Sequence, residues 1–132
     1  DIDSFKSKND QYGHGVGDKI LCAMAACLKS TPGSYSFGRI GGEEFGVLII
    51  DDDPLAATDY ALRLLQAIRS SSPAPHDYTC SAGMTRFAAG ADMSAVLKRA
   101  DRNLYAAKRN GKDRVYLDGA PLTNTLMSVA QA

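Results

Sequence analysis

Two adjacent carboxylates, Glu43 and Glu44, directly follow the glycine pair Gly41-Gly42. Carboxylate oxygens are hard ligands, and phosphoryl-transfer sites commonly hold Mg²⁺ with one or two of them together with substrate phosphates. The glycines carry no side chains, so a bulky ligand can approach the backbone there. The segment is a candidate metal site, and a solvated acidic turn is the alternative.

Two strand-like runs flank these carboxylates, from Tyr35 to Ile40 and from Phe45 to Ile50. A tight hairpin turn of the primed type needs positive φ at both central residues, which glycine adopts without strain. The sequence therefore predicts a β-hairpin whose turn is formed by Gly41 and Gly42.

Apolar residues at helical spacing predict three helices around this hairpin. The first is predicted to begin at Asp18 as N-cap and to run up to Pro32. The second is predicted to begin at Asp53-Pro54, and the third to begin at Asp92 and end at Gly111. The predicted inner face of the third helix consists of Val96, Leu97, Ala100 and Leu104.

Further strands are predicted from Tyr78 to Thr85 and from Arg114 to Leu117, with Asp1–Asp3 as the end of an earlier strand. The segment from Asp118 to Ala132 has no strong periodicity and is expected to be a C-terminal tail. The resulting order of helices and strands indicates an α+β fold.

The composition is that of one globular domain of 132 residues, 45% of them hydrophobic. Fifteen basic and fifteen acidic side chains cancel, so nothing indicates a nucleic-acid-binding surface. No apolar run approaches the ~20 residues of a membrane span, so we expect no membrane contact. Cys22, Cys27 and Cys80 form no Cys-x-x-Cys pair and are predicted to be buried free thiols, which suits a reducing cytoplasm.

Four ordered motifs resemble the GGDEF family of diguanylate cyclases. The similarity extends from residue 1 to about residue 117, and motifs in this order and spacing are highly specific. The motifs are Asp1-Ile2-Asp3-Ser4-Phe5-Lys6 with Asn9-Asp10, Tyr12-Gly13-His14-Gly15-Val16-Gly17-Asp18, Gly41-Gly42-Glu43-Glu44-Phe45, and Ala100-Asp101-x-x-Leu104-Tyr105-x-Ala107-Lys108.

The resemblance implies a nucleotidyl cyclase or polymerase palm-like fold, with a ferredoxin-like core and a central, mainly antiparallel sheet flanked by helices. The chain departs from the family at its start, because the first helix and most of the first strand of such a domain are absent. We therefore expect residues 1–117 to be a GGDEF catalytic domain that continues upstream in a longer protein. A phosphodiesterase domain is one candidate for a region downstream of residue 132.

The resemblance also implies a metal site. Asp1, the backbone carbonyl of Ile2 and Glu43 are expected to bind Mg²⁺, with Mn²⁺ as the alternative ion. Glu43 is further expected to deprotonate the attacking 3′-hydroxyl, since a cation lowers the pKa of a hydroxyl that it coordinates. Glu44 is expected to make a second metal contact or an orienting hydrogen bond.

The remaining implied residues contact GTP. Lys6 is expected to stabilise phosphate charge in the transition state, and Lys108 and Lys112 to reach the terminal phosphates, Lys112 replacing the usual Arg of the family. Asn9 and Asp18 match the family's guanine contacts, although an N-cap role for Asp18 is an alternative. The other expected substrate-binding residues are Ser4, Phe5, Gly41 and Gly42.

The implied activity is the condensation of two GTP molecules into cyclic di-GMP and two pyrophosphates. Each subunit would hold one GTP, so catalysis would need a homodimer, which an upstream sensory or regulatory domain would promote. The alternative is a catalytically inactive GGDEF domain that acts as a GTP-binding or protein-interaction module. The expected location is the cytoplasm, for a free protein or for the cytoplasmic part of a membrane-anchored one.

Overall fold

The computed structural model describes residues 1–71 and 77–123. They form two compact units, Asp1–Cys80 and a second one that begins at Ser81. No helix in these two stretches is long and apolar enough to cross a membrane. The elements are α1 (Phe5–Tyr12), α2 (His14–Ser30), β1 (Ser36–Gly41), β2 (Glu44–Leu48), α3 (Ala56–Ser70), β3 (Ala82–Met84), α4 (Met93–Arg109), β4 (Val115–Leu117) and β5 (Ala120–Pro121).

The predicted α+β class is confirmed, and the strands form two small sheets. β1 and β2 pair antiparallel in the first unit. In the second unit β3 pairs parallel with β4, and β4 pairs antiparallel with β5. The short strand β5 was not predicted and lies in what the sequence indicated as an irregular tail, of which residues 124–132 lie outside the described residues.

The core of the first unit is built on one face of α2. Ile20, Met24, Cys27 and Leu28 are buried at the spacing of a single helical stripe. Ile68 of α3 belongs to the same cluster, which also includes Ile2, Tyr78 and Cys80. Burial of this stripe fixes the orientation of α2. It thereby also fixes where the first turn and the opposite face of the helix lie.

The start of α2 was predicted incorrectly. The helix begins at His14, its N-cap residue is Gly13, and no side chain caps it. Asp18 lies inside the helix and is exposed, so its predicted N-cap role is wrong. The second predicted helix also begins later, because Asp53 Oδ1 accepts a hydrogen bond from Leu55 N in a turn that precedes α3.

The helix α1 was not predicted. It has low mean hydropathy and contains no fully buried residue, so it lacks the apolar stripe by which amphipathic helices are recognised. It nevertheless packs against α2 through the partly buried Phe5. Its formation places the polar residues between Lys6 and Tyr12 on a helix instead of in a loop.

The hairpin forms as predicted, but its turn is shifted by one residue. Gly41 is the last residue of β1 and pairs with Glu44, so the turn consists of Gly42 and Glu43. Only Gly42 has positive φ, at 43°. The register shifts at Ile40, which is left as an extra residue between the paired Arg39 and Gly41. Glu43 thus occupies the turn itself.

The thiols differ in exposure. Cys27 and Cys80 are buried, as predicted, whereas Cys22 is exposed, because it lies off the buried stripe of α2. Cys27 Sγ lies 2.9 Å from Ser71 Oγ, which is 3.4 Å from the Tyr78 hydroxyl. Burial raises the pKa of Tyr78 to about 12, so this phenol stays neutral inside the core.

The second unit packs α4 against β3 and β4. The helix begins as predicted, because Asp92 accepts a hydrogen bond from Ser94 N. Its inner face was predicted in part wrongly: Val96 is buried, but Leu97 is 53% exposed. The helix instead buries Asn103, whose Oδ1 accepts a hydrogen bond from Gly119 N at 2.7 Å.

Gly83 of β3 lies directly against the backbone of α4. A Cβ at this position would overlap with Ala100 O and Leu104 N and would lie 2.9 Å from the carbonyl carbon of Asn103. Backbone atoms within a helix cannot give way as a flexible side chain can. The absence of a side chain at Gly83 therefore sets how closely β3 approaches α4.

We expect Gly83→Ala to lower the free energy of unfolding by at least about 2 kcal/mol, because strand and helix must separate to admit the methyl group. Urea unfolding followed by circular dichroism measures this change. Gly38→Ala is the matched control, since a Cβ at that strand glycine meets nothing within 4 Å. Equal stability of the two variants would show that the close approach is not limiting.

Candidate functional site

The acidic turn, formed by Gly42 and Glu43, and the amino-terminal segment, Asp1–Asp3, are joined by a backbone hydrogen bond. Ile2 N donates to Glu43 O at 3.2 Å, so Asp1 and Ile2 lie beside the turn. Glu43 is half-buried there, and Glu44 begins β2 opposite Gly41. The fold thus brings together the two distant segments that carry the predicted metal ligands.

Asp3 fixes the other side of this segment, a role that the sequence did not reveal. Its backbone N donates to Thr79 O at 2.9 Å, and its Oδ2 accepts a hydrogen bond from Thr79 Oγ1 at 2.7 Å. Asp3 is only 3% exposed. The neighbouring Ile2 makes an antiparallel bridge with Cys80, in agreement with the prediction that Asp1–Asp3 end a strand.

Arg39 also stabilises the hairpin turn, although it was not identified from the sequence. Its Nε donates to Gly42 O at 2.8 Å, which closes the hairpin turn from within the hairpin. The guanidinium is therefore held at the backbone carbonyl that precedes Glu43. Arg39 lies only three residues before Gly42, and a strand residue so close to a tight turn can reach the turn carbonyls. This spacing is a local signal from which the contact can be predicted.

The donor set of this turn can be compared with the ligands that a cation requires. Within residues 1–71 and 77–123, no group of three or more His, Cys, Asp or Glu side chains is arranged to hold a metal ion. Asp1 and Glu43 each offer a carboxylate, and Ile2 offers a backbone carbonyl oxygen. These are hard oxygen ligands, but they include only two carboxylates. This chemistry fits Mg²⁺, which takes one or two carboxylates and completes its shell with water and substrate phosphates.

The segment from Ser4 to Lys6 leads from the carboxylates into α1. Ser4 is exposed and has a left-handed backbone with φ of 56°, an unusual conformation for a residue other than glycine. Phe5 packs against the core of the first unit, and Lys6 is exposed in the first turn of α1. The reversal at Ser4 therefore lets the chain turn from Asp3 directly into the helix.

The predicted base-recognition residues lie where α1 meets α2. Asn9 Oδ1 is buried and has no hydrogen-bond partner among residues 1–71 and 77–123, and the Asn9 side chain lies against Gly17. Asp18, the next residue of α2, is exposed. The fold brings an amide and a carboxylate to the same junction, where together they could pair with the edge of a purine.

Lys108 and Lys112 belong to the second unit. Lys108 lies in the last turn of α4 and is partly buried, whereas Lys112 is exposed after the helix with φ of 62°. Lys112 N donates to Ala107 O at 3.0 Å, a contact that closes the end of the helix. The assignment of both lysines to the terminal phosphates stays a prediction.

Comparison with known proteins gives consistent matches. The family model described as "Diguanylate cyclase, GGDEF domain" matches residues 1–114. Diguanylate cyclase DgcP of Pseudomonas aeruginosa is 40% identical over 124 residues, which cover 87% of this chain and 18% of that protein. The curated relatives are longer proteins, of which the chain spans between 18% and 44%.

Solved structures agree with this match. The diguanylate cyclase SiaD of Pseudomonas aeruginosa, solved with its activator SiaC, has a TM-score of 0.81 and 33% identity over 89% of this chain and 47% of that one. The active GGEEF domain of a diguanylate cyclase from Vibrio cholerae has a TM-score of 0.76 and 31% identity, covering 91% of this chain and 80% of that one. Both are similar to this chain in fold and in sequence.

The contact between Thr79 and Asp3 gives a test of how the site is anchored. We expect Thr79→Val to lower the free energy of unfolding by about 1–3 kcal/mol, because it leaves a buried carboxylate short of a hydrogen bond. Thr79→Ser keeps the hydroxyl and should recover most of the loss. Chemical denaturation of the three proteins measures the effect, and a valine variant as stable as the native chain would contradict this role.

Proposed function

The chain belongs to the GGDEF domain family of diguanylate cyclases, and from this membership and the site we propose that it condenses two GTP molecules into cyclic di-GMP. The observation that carries the proposal is the hydrogen bond from Ile2 N to Glu43 O. It brings the two segments with the family's metal ligands into contact. Two pyrophosphates are the other products.

Asp1, Glu43 and the Ile2 carbonyl would hold Mg²⁺, with Mn²⁺ as the alternative ion, and Glu44 would add a contact or an orienting hydrogen bond. When bound, the cation would neutralise phosphate charge and lower the pKa of the attacking hydroxyl. Glu43 would accept the proton of the 3′-hydroxyl as this oxygen forms a bond to the α-phosphorus of the second GTP. The bond from that phosphorus to pyrophosphate breaks in the same step.

The basic residues would stabilise charge that develops on the phosphates. Lys6 is exposed on the first turn of α1, two residues after the reversal at Ser4, and is therefore available to a phosphate near the acidic turn. Gly41 and Gly42 have no side chains, so a phosphate can approach their backbone closely. Lys108 and Lys112 would contact the terminal phosphates, and Lys112 would do so without the bidentate geometry of Arg.

Guanine recognition would use the junction of α1 and α2. A carboxylate at Asp18 can accept hydrogen bonds from the N1 and N2 donors of guanine, and Asn9 can pair with another edge. Adenine presents a different pattern of donors and acceptors, so the pair would discriminate against ATP. Phe5 and Ser4 would border the same nucleotide.

Catalysis would take place between two copies of the domain, since each holds one GTP and the product joins both. SiaD was solved with an activator, and this chain spans only part of its curated relatives. We therefore propose that further regions or partners regulate the pairing of two subunits in the cytoplasm. The three free cysteines suit that reducing compartment.

A turnover assay tests the activity directly. The chain, alone and fused to a dimerising coiled coil, is incubated with GTP and Mg²⁺, and cyclic di-GMP is separated by chromatography. We expect Glu43→Ala to lower kcat roughly 10²- to 10⁴-fold, because the base is lost. Asp52→Ala, an exposed acidic residue after the hairpin, is the control for loss of charge.

The fusion should raise the rate by raising the effective concentration of one half-site near the other. GTP binding without product in both forms would support the inactive regulatory alternative and refute the cyclase proposal. The absence of GTP binding would refute the cyclase proposal and the GTP-binding alternative, and would favour a protein-interaction module.

Base selectivity gives a separate test. We expect Asp18→Ala to reduce the preference for GTP over ATP by about tenfold or more, because hydrogen bonds to a charged acceptor are lost. Calorimetric titration of the two nucleotides measures the ratio of their Kd values. Asp10→Ala, which removes an exposed carboxylate from α1, should leave this ratio unchanged; an equal effect of both substitutions would point to general charge.

A further inference from the structure

At the junction of α1 and α2, the Asn9 side chain of α1 lies directly against Gly17 of α2. A Cβ built on Gly17 would overlap with Asn9 Oδ1 and would lie 2.8 Å from Asn9 Cγ and 3.2 Å from Asn9 Nδ2. Gly17 itself is buried. The end of the Asn9 side chain therefore occupies the space that any other residue at position 17 would fill.

The other glycines of this segment have no such contact. A Cβ on Gly13 or Gly15 would meet nothing within 4 Å. Gly17 also needs no left-handed backbone, in contrast to Gly13 with its φ of 89°. Conformational freedom therefore does not explain glycine at position 17, whereas close approach of the Asn9 amide does.

Asn9 depends on this contact because hydrogen bonds do not hold its amide oxygen. Oδ1 is buried and has no hydrogen-bond partner in the described chain. No hydrogen bond then holds Oδ1 in place, and its contact with Gly17 is what limits where the amide lies. A change in the shape of Gly17 would move the amide without breaking any bond of its oxygen.

We propose that Gly17 is a specificity-determining residue that positions the Asn9 amide for the nucleotide base. This inference rests on the proposed function, in which Asn9 contacts guanine. Gly17 touches no substrate atom in this role and acts through Asn9. A methyl group at position 17 displaces the free end of a flexible side chain, so α1 and α2 stay folded while the amide leaves its position.

The experiment compares the native chain with Gly17→Ala, Gly15→Ala, Asn9→Ala and the double variant Asn9→Ala with Gly17→Ala. Gly15→Ala is the matched control, because it makes the same change in the first turn of the same helix where space is open. Calorimetric titration gives the ratio of the Kd values for GTP and ATP. Thermal unfolding without nucleotide gives Tm for each protein.

We expect Gly17→Ala to lower the preference for GTP by about tenfold, as for the loss of one well-placed hydrogen bond, and Gly15→Ala to preserve it. The double variant should be no less selective than Asn9→Ala alone. Gly17→Ala should be less destabilising, or more stabilising, in the Asn9→Ala variant than in the native chain. The reason is that the overlap with the Asn9 side chain is then absent, and the difference appears in Tm.

Two results would overturn the proposal. If the Tm changes at positions 9 and 17 are simply additive, the two residues are not in contact and Gly17 does not position Asn9. If Gly17→Ala keeps the full preference for GTP, the position of the amide does not determine selectivity. A native chain without any GTP preference would refute the proposed function instead, and coupling of the two Tm changes would then show that the contact exists without serving guanine.

Discussion

The candidate site depends on the pairing of the first three residues with two distant parts of the first unit. On one side Ile2 N donates to Glu43 O, and on the other Asp3 N donates to Thr79 O. Ile2 and Asp3 are almost completely buried between these partners. Because buried backbone groups are costly to leave unpaired, the segment is held where Asp1 lies beside the hairpin turn. Without this pairing the hairpin would present Glu43 and Glu44 without Asp1 beside them.

Short-range signals in the sequence predicted much of this arrangement, and the errors concern where some elements begin and which short elements form. The glycine pair correctly indicated a hairpin, but Gly41 pairs with Glu44 and the turn moves to Gly42 and Glu43. A capping side chain correctly marked the start of α4 at Asp92. The same reasoning failed at Asp18, because α2 begins earlier, at His14, and its N-cap residue Gly13 has no side chain that could cap it. The helix α1 was missed because it lacks an apolar stripe.

Long-range contacts could not be predicted, because no local pattern reveals them. Asn103 is buried in α4, although it was not among the predicted inner-face residues, and its Oδ1 accepts a hydrogen bond from Gly119 N. Asp3 is buried because Thr79, far along the chain, donates to it. In both cases a polar residue is buried at little cost in folding free energy, because its side-chain oxygen accepts a hydrogen bond. The predicted metal ligands come from a motif, whereas the proximity of Asp1 to Glu43 depends on the long-range hydrogen bonds of Ile2 and Asp3.

The two ends of the candidate nucleotide site are positioned by different forces. At the acidic turn the main chain is held by directional hydrogen bonds, which include Ile2 N to Glu43 O and Arg39 Nε to Gly42 O. At the junction of α1 and α2 the Asn9 amide oxygen has no hydrogen-bond partner in the part of the chain that the structure describes, and it lies against Gly17. Backbone hydrogen bonds tolerate most changes of neighbouring side chains, whereas packing responds to a single methyl group. In this fold the main chain of the acidic turn is therefore robust to substitution, whereas the position of the Asn9 amide, and with it the proposed base selectivity, responds to changes of side-chain volume.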